Sequence, residues 1–276
     1  MAITASDVNK LRQMTGAGMM DCKKALSEAE GDFDKAIEVL RKQGQKVSAK
    51  RADRETSEGA VFVSLFNNDS EGIILGLGCE TDFVAKNEGF QSLGNAILAV
   101  AVANKVADKD ALLAMPLQDG TVESKITELV GTIGEKISIV AYGYEQAEKL
   151  ASYIHSNGKV GVLVALNKVG SANYETLGKD LGMQIAAMNP IAVDGTGVSE
   201  DLKQKELEIG IERARAEGKP ENILEKIAQG YVQKFLKENT LLEQPFVKDN
   251  KVTIKEFLKQ QGGVEVKNFV RASVGE

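Results

Sequence analysis

Histidine is nearly missing from this chain, cysteine is scarce, and there is no long apolar run; each shortage removes a class of function. His155 stands alone, and Cys22 and Cys79 are far apart, so no zinc-ligand spacing is present. Cys22 falls in a helical pattern and Cys79 in an apolar strand. Both are expected as small core residues rather than as a disulfide or a metal pair. The longest uninterrupted apolar run, residues 96–103, is too short to span a bilayer. The opening Met1-Ala2-Ile3-Thr4-Ala5-Ser6 has no basic region leading into an apolar one. No membrane is expected as a partner, and the expected location is the cytoplasm. An excess of basic charge is lacking too: 34 Lys and Arg stand against 40 Asp and Glu, for a net charge of -6. That argues against nucleic acid as the main partner, because phosphate binding needs a basic face.

Motifs for small-molecule chemistry are equally thin. Gly158-Lys159 lacks the preceding glycine and following Ser/Thr of a phosphate-binding loop, and Gly76-Leu77-Gly78 lacks the third glycine of a dinucleotide fingerprint. Gly131-Thr132-Ile133-Gly134 has the outline of a nucleotide-clamping loop without basic flanks. No serine or cysteine nucleophile has a credible base. The carboxylates lie mostly on solvated helices. The chain is expected not to be an enzyme and to carry no cofactor or metal.

What is present is an ordinary globular composition, 43% hydrophobic and 27% charged, long enough for one large or two to three small domains. Residues 1–44 read as a three-helix bundle. Thr4 and Asp7 form a capping box, Gly16 and Gly18 break the first helix, Gly31 stops the second, and Asp32 caps a third with Phe33, Ala36, Ile37 and Leu40 as its stripe. Met19 and Met20 are adjacent and cannot both face one stripe. One of them is expected exposed as an adaptable contact, unless both plug gaps beside the glycines. Residues 45–58, locally basic through Lys46, Lys50, Arg51 and Arg54, read as a solvated spacer.

The remainder reads as an α+β fold. Strands are expected at 60–66, 72–79, 136–143, 151–155, 159–167 and 264–274, with helices at 88–104, 121–133, 171–188 and 252–261. A short repeat divides it. Gly72-Ile73-Ile74-Leu75 leads to Phe90-Gln91-Ser92-Leu93-Gly94, and Gly161-Val162-Leu163-Val164 leads to Tyr174-Glu175-Thr176-Leu177-Gly178. Two core subdomains follow, one over 59–148, the other over 149–197 and 239–276. Residues 198–238 read as an antiparallel helical hairpin inserted in the second, with Gly218-Lys219-Pro220 at its turn and a narrow stripe of Leu202, Ile209, Ile223, Leu224, Ile227, Tyr231 and Phe235. The first repeat has the longer connection. Its extra residues fall in Thr81-Asp82-Phe83-Val84-Ala85-Lys86-Asn87, which reads as a protruding tip that belongs to no core, a probe aimed at a partner. On the residues alone, Phe83 reads equally as a core ring folded back onto the sheet.

Leu11-Arg12-x-x-Thr15-Gly16-Ala17-Gly18-Met19-Met20-Asp21-Cys22-Lys23-Lys24-Ala25-Leu26 closely resembles the N-terminal signature of the bacterial elongation factor Ts family. Cys79-Glu80-Thr81-Asp82-Phe83-Val84-Ala85-Lys86 resembles its second signature, and Gln244-Pro245-Phe246-Val247 and Phe269-Val270-Arg271 match further on. The resemblance implies a guanine nucleotide exchange factor for elongation factor Tu, with a ubiquitin-associated-like bundle docking through Arg12, Met19 and Met20. It implies that Thr81, Asp82, Phe83 and Val84 dislodge magnesium from the partner's nucleotide site. Ile133, Gly134 and His155 are implied as further contacts, and the hairpin as a coiled coil able to dimerise or reach out. Phe83 is then a wedge between the partner's helices. Asp82 draws donors away from the phosphate side without becoming a stable magnesium ligand. Longer relatives carry an extra C-terminal helical module; here Val274-Gly275-Glu276 is the last segment, and contacts made by that module are expected to be missing or replaced. Two other classes stand beside this reading: a nucleic-acid module using the basic spacer and the 131–134 loop, and a small-molecule enzyme with a titrating pocket.

Overall fold

The computed structural model describes residues 3–276; Met1 and Ala2, which open the expected bundle, lie outside the described residues. Helices α1 (Ala5–Thr15), α2 (Met19–Glu28) and α3 (Phe33–Lys50) come first. Thr4 and Asp7 cap α1 reciprocally, and Gly16 ends it at φ 67°, where a side chain would be strained. The Asp32 carboxylate accepts the Lys35 N–H at the start of α3. Leu11, Cys22, Ala25, Leu26 and Ala36 form a fully buried centre, with Phe33, Ile37 and Leu40 at its side.

One expectation is corrected here. α3 continues to Lys50, so the first six residues of the expected spacer, 45–50, are helical. The extension packs a half-buried Val47 against the main core, and Gly44 lies on a neighbouring helix. A glycine and a single valine make no apolar stripe, which is why periodicity does not reveal the helix.

The main body then runs β1 (Glu58–Phe66), β2 (Glu71–Cys79), α4 (Asp82–Ala85), α5 (Glu88–Asn104), α6 (Lys109–Ala114), the small pair β3 (Pro116–Leu117) and β4 (Gly120–Thr121), α7 (Val122–Ile133), β5 (Ile137–Gln146), β6 (Lys149–Ile154), β7 (Val160–Asn167) and α8 (Tyr174–Met188). It continues through α9 (Glu200–Ala216), α10 (Leu224–Asn239), β8 (Pro245–Phe246), β9 (Asp249–Thr253), α11 (Ile254–Gln260) and β10 (Glu265–Ser273). The fold is α+β. Its shortest elements, α4, α6 and the pairs β3–β4 and β8–β9, carry too few residues for a period to be read.

Two antiparallel sheets, ordered β1-β2-β5 and β10-β7-β6, lie face to face. The repeated strands β2 and β7 are the central strand of each sheet, and the helix following each, α5 or α8, covers its outer face. Alternation sorts the side chains. Ile73, Leu75, Leu77 and Cys79 pack outward with Phe90 and Ile97 of α5. Ile74 packs inward with Val61, Leu163 and Ala165. Both faces of β2 are therefore covered, and an antiparallel strand reads as one continuous apolar run. The facing sides of β2 and β7 are thinned by glycine so that the sheets can approach: a Cβ on Gly161 of β7 would lie 2.5 Å from Val61 Cγ1, and one on Gly72 of β2 3.0 Å from Leu163 Cδ1.

The β1–β2 turn uses Asn67, Asn68 and Asp69, all left-handed, the residue types that tolerate this region best after glycine. Just past it, Glu71 accepts hydrogen bonds from Lys105 (2.8 Å), Tyr144 and Asn67. These donors, Lys105 foremost, hold its carboxyl down to about 2, from an ordinary 4.5. A carboxyl lowered in the folded state adds stability above its unfolded pKa and loses it as pH falls through the folded one. Glu71→Gln is therefore expected to melt below the wild type by a constant margin at neutral pH, and the margin to close between pH 4.5 and about 2. A margin unchanged across that window in a pH series of thermal melts refutes the assignment.

The hairpin α9–α10 differs from its expected stripe. Gly210, Ala214, Leu224 and Ala228 are buried at the seam, while Ile209 and Ile223 are exposed. A Cβ on Gly210 would lie 3.0 Å from Ala228 Cα, so the two backbones approach closely and leave no hole for an isoleucine. Arg213 stacks on the Tyr231 ring at 4.8 Å beside this seam.

Both cysteines are free and buried. Burial first, then the Glu135 and Glu58 charges, push the Cys79 thiol up to about 12. Neither cysteine is expected to react with an aromatic disulfide reagent in the native protein, and both to react on unfolding. Rapid native labelling would show instead that the core opens.

Candidate functional site

The chain leaves the first sheet at Cys79, whose register partners are Glu58 on β1 and Ile137 on β5. Thr81 then caps α4: its Oγ1 accepts the Val84 N–H at 3.4 Å, and its carbonyl accepts the Ala85 N–H at 3.2 Å. Asn87 caps α5 immediately afterwards. The extra length of the first connection is therefore one capped helical turn.

Consecutive residues of a helix point about 100° apart, so a single turn sends its side chains in different directions. Phe83 is 81% exposed, whereas Val84 is 7% exposed and Ala85 is also buried, both against the core beneath α5. This corrects the expectation that the segment belongs to no core. Val84 and Ala85 anchor it, and Phe83 alone stands off. The ring is not folded back onto the sheet. Asp82 pairs with Lys86 at 2.8 Å, and that hydrogen bond holds its carboxyl below the ordinary range.

Two glutamates brace the turn. Glu135 accepts the Thr81 N–H (3.0 Å) and the Thr81 hydroxyl (2.9 Å), one on each carboxylate oxygen. Glu80 accepts the Lys136 N–H at 2.6 Å and the Arg51 guanidinium at 2.8 Å. Partial burial works against the Glu80 charge, but the Lys136 N–H and Arg51 outweigh it and keep its carboxyl below the usual range.

The other expected residues fall around this end of the core. Gly134 ends α7 at φ 81°, and Ile133 before it is half-buried; both sit directly ahead of Glu135. The Gly131–Gly134 outline is thus the end of a helix and not a nucleotide-clamping loop. His155 is exposed on the β6–β7 turn, its Nδ1 3.0 Å from the Tyr153 hydroxyl. That turn is tied to the start of β1, where Gly158 accepts the Val61 N–H and Lys159 pairs with Glu58 at 2.6 Å. Because Glu58 is also the register partner of Cys79, His155 and the Thr81 turn share one end of the two sheets.

The bundle is seated on α7. Gly44 meets Gly131, Arg41 reaches Glu128 at 3.0 Å and also Asp119, and the Lys136 ammonium donates to the carbonyls of Ala52 and Arg54. Arg12 and both methionines stand on its surface, Met19 56% and Met20 76% exposed. The alternative in which both methionines plug gaps is thereby overturned. Nothing in the sequence singles out Arg51, Glu80 or Glu135 as braces of this turn. Thr81 and Glu135 are 54 positions apart, and nothing local pairs them.

Among the described residues, no cluster of three His, Cys, Asp or Glu side chains is arranged to hold a metal, and no helix is long and apolar enough to cross a membrane. The arrangement offers an exposed ring, a half-exposed carboxylate and a methionine surface on braced supports. That is the chemistry of protein contact.

The family model for elongation factor Ts matches residues 80–276. The chain is 53% identical over 276 residues to elongation factor Ts of Amoebophilus asiaticus, with all of both chains covered. It is 52% identical over 274 residues to that of Cytophaga hutchinsonii, covering 99% of each. Against that of Azoarcus sp. it is 50% identical over 276 residues, covering 99% of this chain and 91% of the relative.

Proposed function

The chain belongs to the elongation factor Ts family of translation elongation factors, and from that premise we propose that it binds elongation factor Tu in its GDP form, displaces the magnesium ion and releases GDP. The observation that carries the reading is Phe83, a large apolar ring left 81% exposed on a turn that is otherwise anchored and capped. A lone exposed ring on a rigid mount suits insertion into a partner, because little of its freedom remains to be lost on binding.

GDP in such a partner is held by phosphate contacts and a bridging magnesium, the largest local charge in the site. Phe83 enters between the partner's helices and shifts the groups that hold the ion. Asp82 exchanges its exposed Lys86 partner for a donor on the phosphate side. Arg12, Met19 and Met20 dock the bundle, and Ile133, Gly134 and His155 complete the contact from the core edge. Thr81 and Val84 serve as mounts. The chain supplies no enzymatic step, cofactor or direct nucleic-acid contact, and acts in the cytoplasm. Where a homodimer forms, it forms through the α9–α10 hairpin, which carries exposed Ile209 and Ile223.

Exchange is reciprocal: whatever weakens GDP must itself bind the GDP form more weakly, by the same factor. A thousandfold weakening needs about 4 kcal/mol of differential binding, within reach of one buried aromatic anchor and its surroundings. The test is release of fluorescent GDP from elongation factor Tu into excess unlabelled GDP, with and without the chain. Acceleration by orders of magnitude is expected. Tight binding without acceleration would assign a holding role and end this reading.

A further inference from the structure

The two glutamates that brace the Thr81 turn form a reciprocal clasp. Glu80 takes the N–H of Lys136, the residue after Glu135, and Glu135 takes the N–H of Thr81, the residue after Glu80. The ladder between β2 and β5 ends at Cys79 opposite Ile137, and beyond it the side-chain carboxylates replace backbone carbonyls as acceptors. Hydrogen bonds from N–H groups to carboxylates are stronger than those to neutral acceptors. Glu135 also takes the Thr81 hydroxyl, so the residue that caps α4 is held through both its backbone and its side chain. Arg51, the residue that ends α3, supplies the positive charge beside Glu80. The turn that carries Phe83 is thus tied on one side to the end of α7 and on the other to the docked bundle.

We propose that Glu135 is a positioning residue for Phe83: with both carboxylate oxygens on Thr81, and with the Arg51–Glu80–Lys136 bridge beside it, it sets the direction in which the ring is presented. The inference rests on the exchange reading above and adds to it a residue that need not touch the partner. A carboxylate only accepts, which matches the two Thr81 donors. A glutamine of the same size has a single acceptor oxygen and turns an NH₂ toward a donor. Glu135→Gln therefore disturbs the clasp with the least change in volume, and Thr81→Val opens it from the other side. Thr81→Ser keeps the hydroxyl and the cap.

The experiment measures GDP release from elongation factor Tu over a range of chain concentrations, for the wild type, Glu135→Gln, Thr81→Val, Thr81→Ser, Phe83→Ala and the double variant Phe83→Ala/Glu135→Gln. Native amide exchange at Thr81 is followed alongside. Glu135→Gln and Thr81→Val are expected to lower the rate at saturation about tenfold, with the half-saturating concentration changed less than about twofold and with Thr81 protection lost in Glu135→Gln. Thr81→Ser, which restores the hydroxyl, is expected to recover most of the rate that Thr81→Val loses. In the Phe83→Ala background, Glu135→Gln is expected to cost nothing further, because a positioning residue acts only through what it positions. A full additional loss in that background overturns the proposal. So does a raised half-saturating concentration with an intact maximal rate, which is the mark of direct contact. A rate loss with Thr81 protection intact overturns it as well. Wild-type acceleration in Phe83→Ala alone defeats the reading of the ring, and is separable because the amide-exchange result is independent of it.

Discussion

Phe83→Ala is expected to abolish most of the acceleration of GDP release while the chain still binds elongation factor Tu. The ring is 81% exposed and buries almost nothing within its own fold. Truncating it should leave stability within about 0.5 kcal/mol of wild type, as for other surface positions. Its contribution is therefore realised in the complex. Aromatic residues at the centre of an interface commonly cost about 2–4 kcal/mol on truncation. Spent on separating nucleotide-bound from nucleotide-free partner, that range corresponds to roughly 30- to 1000-fold in release rate. With the proposed docking through the bundle and the rest of the core edge left in place, affinity for the nucleotide-free partner is expected to fall while a complex remains. Asp82→Ala removes only a carboxylate that is already shared with Lys86, and a smaller loss is expected. Stopped-flow release at saturating chain, paired with a thermal melt, is the measurement. An unchanged rate would remove Phe83 from the mechanism.

Gly131→Leu is expected to unseat the bundle. A Cβ at position 131 would lie 2.5 Å from Gly44 Cα, and the obstacle is backbone rather than a side chain that can swing away. The reverse fit is also tight, with a Cβ on Gly44 3.3 Å from the Thr127 carbonyl oxygen. Leucine is a better helix former than glycine by about 1 kcal/mol, so α7 itself gains locally. Overpacking costs about 1–3 kcal/mol where the backbone must move, and here it works against that gain. The interface also carries Arg41–Glu128, Arg51–Glu80 and the Lys136 bonds to Ala52 and Arg54, which separate together once the helices part. The expected result is faster proteolysis between residues 41 and 58, a lower melting temperature and a raised half-saturating concentration for GDP release. Gly131→Ala should show the same pattern more weakly. Wild-type proteolysis in the leucine variant would mean that the bundle does not sit on α7 in this way.

Much of the fold was legible in the sequence where its signals are local. Thr4 with Asp7, Gly16, and Asp32 each act within one helical turn, and each ends or begins a helix as read. The main strands and long helices of the core fall close to their expected spans, because alternation and helical spacing are written over many residues. The two repeated strands are each the centre of a sheet. The failures are equally physical. The last turns of α3 are not legible because they pack through Gly44 and Val47, which make no stripe. Large apolar residues such as Ile209 mark the expected seam of the hairpin, whereas Gly210, Ala214 and Ala228 make it. Adjacency in sequence puts Val84 in the same tip as Phe83, but one helical turn sends the first side chain into the core and the second into solvent.

The sequence by itself determined the type of the longer elements, the caps of the first three helices, the α+β class, the long first connection and the family. Each of these depends on neighbours along the chain or on runs of side chains that match a known pattern. Only the tertiary structure decided that Phe83 stands clear while Val84 anchors, that Glu135 meets Thr81, that Gly44 meets Gly131, and that His155 shares an edge with the Thr81 turn. The last three join residues far apart in the chain. The β2–β5 pairing brings Thr81 to Glu135, the packing of α3 on α7 brings Gly44 to Gly131, and the packing of the two sheets brings His155 to the same end; no local propensity encodes any of these.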